Sequence, residues 1–142
     1  MKLFNAILLS TFTVVMVACG GNSQNTLLGT WQVTDVDMSS MLETVPEEQK
    51  AFMEAMLPMM QEAMKSMTME FSEDGKVITK SAVMGEQSEE EGTWSLSDDA
   101  KTLTINGEGN SQEMQVTELT NAKMVVKIVE EDGEFSMTFE KK

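Results

Sequence analysis

The sequence predicts a mainly β fold, in which about eight short strands form a closed antiparallel sheet and one amphipathic helix follows the first strand. Two observations support this fold class. Several short segments alternate apolar and polar residues, and turn signals such as Asp74-Gly75 and Asn106-Gly107 separate them. Most of these segments have only one apolar face, which a closed sheet explains because its inner face is dry and its outer face is wet.

The first strand is predicted over residues 27–38. Trp31 and Val33 lie on its apolar face, and polar residues alternate with them. Beyond Thr34-Asp35 the apolar positions change parity, so that they would face the wrong side of a regular strand. We therefore predict a β-bulge at this point, because one extra residue restores the apolar side chains to the same face.

The period changes to that of a helix over residues 44–66. Apolar side chains, mostly methionine, recur every three or four positions, and charged residues take most of the others, which predicts an amphipathic helix. Thr44 and Glu47 fit a capping box at its start, with Pro46 in the first turn. Pro58 lies inside this helix and removes a backbone hydrogen bond, which predicts a kink or two short helices that meet there.

From residue 67 onward the period of two returns and predicts seven further strands separated by turns. A polar stretch over residues 85–91 is interpreted as a connection between two of these strands, and Asp132-Gly133 as the last turn. The predicted strands cover residues 67–71, 77–83, 93–96, 103–105, 114–116, 124–128 and 135–139.

The composition removes most functions that depend on positive charge or on imidazole. The 142 residues include 24 acidic residues against 10 basic ones, all lysine, and the formal net charge is −14. Such a charge repels phosphate backbones, so we expect no nucleic-acid partner. Without histidine or arginine the chain has no Ser-His or Cys-His pair, no imidazole ligand for zinc and no bidentate anion clamp. We expect no enzymatic activity, no catalytic residue, no metal site and no cofactor.

The N-terminal segment has the layout of a secretory signal. Lys2 provides a positive charge, and the uncharged apolar run that ends at Ala18 is shorter than the roughly 20 residues that span a bilayer. The Met-Val-Ala-Cys motif at residues 16–19 resembles the bacterial lipobox. This resemblance implies a lipoprotein signal peptide over residues 1–18, cleavage before Cys19, and lipidation of Cys19 by diacylglycerol and an acyl chain such as palmitate.

We expect the lipid on Cys19 to hold the protein at a membrane. Residues 19–26 are mostly small and polar and predict a flexible tether, so residues 27–142 form the folded domain. The tether has no acidic residue, and acidic residues directly after the lipidated cysteine resemble surface-export signals in some bacteria. We therefore expect the protein in the bacterial cell envelope, anchored to the outer membrane and facing the periplasm.

Two short motifs resemble landmarks of the lipocalins. Gly29-Thr30-Trp31 resembles the G-x-W opening of that family, and Gly92-Thr93-Trp94 with the strand after it is similar to a second landmark of bacterial lipocalin-like domain lipoproteins. The resemblance implies a calycin-like, eight-stranded up-and-down barrel that is open at one end and can hold a small apolar ligand. The chain departs from the family in having no arginine to stack on Trp31 and no Arg/Tyr anchor for a fatty-acid carboxylate.

Three classes of function remain open, and the sequence specifies no protein partner. The first is a barrel that binds a small apolar ligand beneath a methionine-rich helical lid, because methionine adapts to varied shapes. The second is a structural or interaction protein with a filled barrel. The third handles Cu(I), because Met53, Met56, Met59 and Met60 are spaced like methionine motifs that hold this soft ion. The candidate ligand-binding residues are Trp31, Met53, Met56, Met60, Met64 and Trp94.

Overall fold

A computed structural model describes residues 21–131 and 133–142 of the chain. Each strand pairs antiparallel with the next and the last pairs with the first, so the predicted closed barrel of eight strands is confirmed. The predicted signal peptide, Cys19 and Asp132 lie outside the described residues. The strands are β1 (Gly29–Asp37), β2 (Thr68–Phe71), β3 (Lys76–Val83), β4 (Glu86–Leu96), β5 (Thr102–Asn106), β6 (Ser111–Leu119), β7 (Lys123–Glu130) and β8 (Gly133–Lys141); the helices are α1 (Gly21–Leu27), α2 (Ser39–Thr44) and α3 (Glu47–Lys65).

The up-and-down order of the strands gives the barrel two different ends. The start of β1 and the β2–β3, β4–β5 and β6–β7 turns lie at one end, which we call the base. The helices α2 and α3 and the β3–β4, β5–β6 and β7–β8 turns lie at the other end, which we call the mouth. Because β1 starts at the base and ends at the mouth, helices inserted between β1 and β2 lie at the mouth.

The change of parity in β1 is a β-bulge, as predicted. Val33 pairs with Phe139 of β8, and Asp35 pairs with the preceding residue, Thr138, so the register shifts between them. The extra residue turns Val36 back toward the interior. Trp31, Val33 and Val36 are consequently all buried, although they do not share one simple alternation.

In place of the predicted flexible tether over residues 19–26, the described part of this segment forms α1. One contact from the nearby β1 and one from the distant end of β8 order it. The carbonyl oxygen of the buried Leu27 accepts a 2.7 Å hydrogen bond from Nε1 of Trp31, and the carbonyl oxygen of Thr26 accepts one of 2.8 Å from Nζ of Lys141. Carbonyl groups at a helix C-terminus lack partners within the helix, so these two donors hold the end of α1 at the base.

Two helices, and not one, connect β1 to β2. The helix α3 is the predicted amphipathic helix, and it continues through Pro58 as a single element, so the alternative of two short helices is not found. The sequence analysis missed α2. This helix includes Thr44, whose hydroxyl donates to the carbonyl oxygen of Met41 at 2.9 Å, and α3 begins after Pro46 without the predicted capping box.

The start of α2 is fixed by a side chain at the end of β1. The hydroxyl and the backbone N–H of Ser39 donate to the carboxylate of Asp37 at 2.6 and 3.0 Å. The hydrogen bond from the Ser39 hydroxyl, and after it the one from the backbone, hold the pKa of Asp37 below its usual value because they stabilise the charged carboxylate. This local Asx turn directs the chain out of the strand and into a helix.

The strand β4 is longer than predicted, because the polar stretch from residue 86 to 91 pairs with β3 throughout. The ladder uses backbone groups, so exposed acids are compatible with it, and the Lys80 ammonium lies 3.4 Å from the Glu89 carboxylate across the pair. The two outer edges of this β3–β4 pair are covered only in part. β5 pairs with β4 only from Thr93 onward, and β2 pairs with β3 only as far as Lys80. The β3–β4 hairpin therefore projects beyond its neighbours at the mouth.

Both tryptophans lie at the base, where aromatic rings fill the end of the barrel. Trp31 and Phe139 are completely buried. Trp94 is half-buried, and its ring meets that of Phe71 edge-on with 5.7 Å between the centroids. Nε1 of Trp94 donates to the carbonyl oxygen of Ser72 in the β2–β3 turn at 3.1 Å. Each indole N–H is therefore satisfied by a backbone carbonyl group.

Substitution of Gly92 tests the close approach of β4 to β5. A Cβ atom at Gly92 would lie 2.5 Å from the carbonyl oxygen of Asn106, which belongs to the backbone and has little freedom to move. We expect Gly92→Ala to lower the free energy of unfolding by about 1–3 kcal/mol, as overpacking does. The matched control is Gly107→Ala, which meets no atom within 4 Å and should stay within about 0.5 kcal/mol of the wild type. Urea unfolding followed by tryptophan fluorescence measures both, and equal losses would contradict the packing argument.

Candidate ligand-binding site at the barrel mouth

The mouth of the barrel exposes large apolar side chains, whereas the base does not within the described part of the chain. The exposed fractions range from 48% at Val83 to 92% at Met84. Clusters of exposed apolar residues commonly mark binding surfaces in soluble proteins. These exposed residues are Phe52 and Met59 on α3, Val83 and Met84 at the tip of the β3–β4 hairpin, and Val129 near the end of β7.

Several of these side chains line one depression between α3 and the tip of the β3–β4 hairpin, which we call the mouth groove. Its volume is about 490 Å³. The lining is apolar except for one carboxylate, which is the pattern of a site that binds an apolar molecule and orients it through few polar groups. The lining residues are Met59, Met60, Glu62, Ala63, Ala82, Val83 and Met84.

One serine sets the distance between the two sides of the mouth groove. The Ser66 hydroxyl accepts the backbone N–H of Ala82 at 3.1 Å and is within donating distance of the Ala82 carbonyl oxygen at 2.8 Å. The strand β2 does not reach Ala82, so Ser66 takes the place of a ladder partner at this edge of β3. The C-terminal end of α3 is therefore held against the hairpin directly beside the groove.

Side-chain amides hold α3 along β1. Nε2 of Gln61 donates to the carbonyl oxygen of Val36 at 2.9 Å, next to the bulge, and Nε2 of Gln32 lies 3.5 Å from the carbonyl oxygen of Lys65. Leu57, Met60 and Met64 pack against the buried core, but no residue of α3 is itself fully buried. The helix thus rests at the edge of the core and leaves part of its apolar surface toward the groove.

The tip of the hairpin has an unusual residue for its backbone conformation. Met84 and Gly85 form the two-residue turn between β3 and β4, and both have positive φ angles, 53° and 86°. Turns of this kind favour Asn, Asp or Gly at the first position because a larger side chain is strained there. A methionine in this place, almost fully exposed, is not explained by the folding of the hairpin, and sites of such conflict are often functional.

The two tryptophans among the predicted ligand-binding residues lie at the base, which is the end of the barrel opposite to the mouth groove. Trp31 is completely buried at the base, and Trp94 lies at the base beside the β2–β3 turn. Their indole N–H groups bind backbone carbonyl oxygens. Both positions hold the closed end of the barrel together.

The four predicted methionines of α3 lie in different surroundings. Met60 lines the mouth groove and also packs against the core. Met53 lines a second depression of about 410 Å³, together with residues of α2 and the β7–β8 turn. Met56 is half-buried, and Met64 packs against the core. The structure therefore does not bring the predicted set together in one place.

Of the remaining residues of the mouth groove, only Met59 was named from the sequence, as part of the candidate Cu(I) motif and not as a ligand-binding residue of an apolar site. Ala82, Val83 and Met84 join the groove only because the β3–β4 hairpin projects, and this depends on where β2 and β5 end. The signal present in the sequence was Met84 itself, an apolar residue directly before the glycine of a hairpin turn.

No group of three or more His, Cys, Asp or Glu side chains is arranged to hold a metal ion in residues 21–131 and 133–142. Within the same ranges, α1, α2 and α3 are all too short or too polar to cross a membrane.

Comparison with known proteins agrees with this architecture. The family model described as a lipocalin-like domain matches residues 27–126, which is most of the chain and extends from the start of the barrel into β7. The chain belongs to the lipocalin-like domain family. No curated protein matches the sequence significantly.

Solved structures also resemble this lipocalin-like protein. A DUF4847 family protein from Bacteroides vulgatus is 15% identical and has a TM-score of 0.52, with 86% of this chain and 98% of that chain covered. A deswapped triple mutant of bovine odorant-binding protein is 16% identical with a TM-score of 0.44, covering 82% of this chain and 74% of that one. At these identities the likeness concerns the fold alone, and the Bacteroides structure is the one that supports it.

The lipocalin-like barrel has a cation over Trp31 despite the absence of arginine. Nζ of Lys141 lies 5.0 Å from the centroid of the Trp31 ring and donates to Thr26 of α1. The Lys141 stem also passes Gly29, where a Cβ would be 3.4 Å from Cε. The chain has no arginine to stack on Trp31, and a lysine at the end of β8 takes this position.

Replacement of Lys141 tests this contact. We expect Lys141→Met to lower the free energy of unfolding by about 1–3 kcal/mol, because it removes a cation–π contact and a charged hydrogen bond but keeps the apolar stem over the ring. Lys142→Met is the control, since the Lys142 side chain is exposed, and its effect should stay below about 0.5 kcal/mol. Urea unfolding of the three proteins decides the matter, and a loss no larger in Lys141→Met than in the control would mean that the cation is dispensable.

Proposed function

We propose that this protein is a lipid-anchored protein of the bacterial cell envelope whose lipocalin-like barrel binds a small apolar ligand in the mouth groove. The single observation that supports ligand binding most directly is the apolar lining of the groove, with Met59, Val83 and Met84 exposed beside one another. Apolar surface of this kind costs free energy in water, and a bound apolar molecule removes it from water.

The size of the groove fits this proposal. Small-molecule sites usually have volumes of about 300–1,000 Å³, and the mouth groove, at about 490 Å³, lies within that range. The centre of the barrel is a less suitable place, because Trp31, Met124 and Phe139 are completely buried there and occupy the interior near the base. The ligand would therefore lie between helix and hairpin, and not deep within the barrel.

The arrangement of the two ends also fits an anchored protein. Only Gly20 separates Cys19, the proposed lipidation site, from the start of α1, and α1 ends at the base, where Trp31 and Lys141 hold it. The mouth groove lies at the opposite end. An anchor at Cys19 would thus leave the groove directed away from the membrane and open to a ligand. The proposed place at the outer membrane, facing the periplasm, follows from the N-terminal motif.

A change at the hairpin tip separates ligand binding from stability. Met84→Asn replaces an apolar lining residue by one that suits the positive φ angle, so it should leave the free energy of unfolding unchanged or raise it slightly. We expect the same change to weaken binding of a neutral fluorescent fatty amide at least about fivefold, because an apolar contact is lost. Fluorescence titration measures affinity, and urea unfolding measures stability.

The matched control for this experiment is Val129→Thr. Val129 is also an exposed apolar residue at the mouth, but it does not line the groove, so its variant should bind the fatty amide like the wild type. Equal weakening in both variants would contradict a specific groove. Failure of the wild type to bind any apolar probe would favour the alternative of a structural or interaction protein with a filled barrel.

A second candidate ligand is Cu(I), because the thioethers of Met59, Met60 and Met84 line the same groove and thioethers favour soft ions. The double variant Met59→Leu/Met60→Leu keeps the apolar volume and removes two sulfur atoms. An apolar-ligand site should tolerate this change. Anaerobic Cu(I) titration that shows tight binding by the wild type and none by the double variant would make the metal the preferred ligand.

Substitution of Cys19 tests the anchor. We expect Cys19→Ala to remain unprocessed and to leave the membrane fraction, because both the cleavage site and the thiol that accepts the lipid are lost. Mass spectrometry of the mature wild-type chain should show a diacylglycerol and an acyl chain on Cys19. A mature N-terminus without acyl mass would contradict the lipoprotein proposal and leave ligand binding in the groove to be judged separately.

A further inference from the structure

The charged groups at the rim of the mouth groove are acidic. Glu62 lines the groove from α3. Glu86 is the cross-strand partner of Val83, which also lines the groove, and directly paired residues present their side chains on the same face of a sheet. Glu62 thus lines the groove from the helix, and Glu86, which is not itself a lining residue, is the cross-strand neighbour of a lining residue on the hairpin side.

In the part of the chain that the structure describes, no lysine forms an ion pair with these acids. No lysine belongs to the groove lining. Lys80, two residues before Ala82, lies 3.4 Å from the carboxylate of Glu89 on the outer face of the hairpin. In the described ranges, neither Glu62 nor Glu86 forms an ion pair, and Lys65, one helical turn after Glu62, forms none either. The rim of the groove thus has an excess of negative charge.

The rest of the molecule increases this excess. The formal net charge is −14, and the chain has no arginine with which to clamp an anionic head group. The summed field of such a protein lowers the local concentration of anions and raises that of cations. An apolar molecule that carries a carboxylate would have to place its negative charge beside Glu62 and Glu86, or else leave its chain only partly in the groove.

We infer that the mouth groove selects amphipathic molecules with a cationic head group, such as an alkylammonium, over those with an anionic one. The alkyl chain lies against Met59, Met60 and Met84, and the ammonium lies at the rim between Glu62 and Glu86. This inference rests on the proposed function, since it assigns the chemical class of the ligand that the groove takes. Both carboxylates are exposed, so the preference is modest in size and decreases with added salt.

The test compares three probes that share one alkyl chain and differ in the head group: an alkylammonium, the matching alcohol and the matching carboxylate. Each displaces the fluorescent fatty amide from the full mature protein at neutral pH and low ionic strength. We expect the ammonium to bind about fivefold more tightly than the alcohol, which is the size of effect known for exposed charge pairs, and the carboxylate to bind most weakly. At high salt the affinities of the three probes should become nearly equal.

The double variant Glu62→Gln/Glu86→Gln identifies the groups responsible. We expect it to lose the preference for the ammonium over the alcohol, whatever its affinity for the alcohol itself. The variant Glu54→Gln/Glu113→Gln removes the same number of charges from exposed positions outside the groove lining, and it should keep the preference. It therefore controls for the change in net charge.

The outcomes distinguish this inference from the proposal on which it rests. Equal affinity for the three probes, or a preference for the ammonium that persists in the Glu62/Glu86 variant, would overturn the assignment of a cationic ligand while leaving an apolar site in place. Binding of none of the three probes by the wild type would overturn the proposed function, and the inference with it.

Discussion

The contact between the two ends of the sheet at Trp31 is the interaction on which the rest of the structure depends. β1 has to pair with β2 on one side and with β8 on the other, and Trp31 is the large side chain at the base where these pairings meet. Its ring is buried, with Nζ of Lys141 over it, and its N–H group holds the end of α1. A closed barrel pairs each strand on both sides along its body, and the projecting hairpin is a place where a strand edge is left without a neighbour. The polar, acidic outer surface and the apolar interior are both consequences of that closure.

The base and the mouth differ in how completely their groups are satisfied. At the base, indole N–H groups, a lysine ammonium and helix carbonyl groups all find partners within the chain. At the mouth, α3 has no fully buried residue, and the β3–β4 hairpin extends past the strands that would cover it. Stability is therefore concentrated at one end, and apolar surface that the fold leaves uncovered is found at the other. Such a division allows the mouth to vary in sequence without loss of the barrel.

Periodicity was sufficient to predict those parts of the fold that depend on neighbouring residues. The alternation of apolar residues predicted the eight strands, the parity change predicted the bulge after Val33, and the helical period predicted α3. Elements whose order comes from distant contacts or from one particular side-chain hydrogen bond were not predicted. The helix α1 is held by Lys141, α2 begins through one Asx turn at Asp37, and the polar start of β4 is ordered by pairing with β3. The candidate site was only partly predicted. The helical period assigned Met60 to the apolar face of α3. Met84 lines the groove only because the β3–β4 hairpin extends beyond its neighbouring strands, and hairpin length depends on tertiary pairing.

The closure of the barrel has a consequence for the order of folding. The hydrogen bond between Lys141 and Thr26 joins residues 115 positions apart, and the β1–β8 ladder spans nearly the same separation. Contacts this remote in sequence form late, because a long loop must close before they stabilise anything. During synthesis Trp31 stays uncovered until β8 has been made, so the barrel forms only after almost the whole chain is available. A chain that crosses a membrane as an extended polypeptide is compatible with this order, because translocation can be completed before the sheet closes.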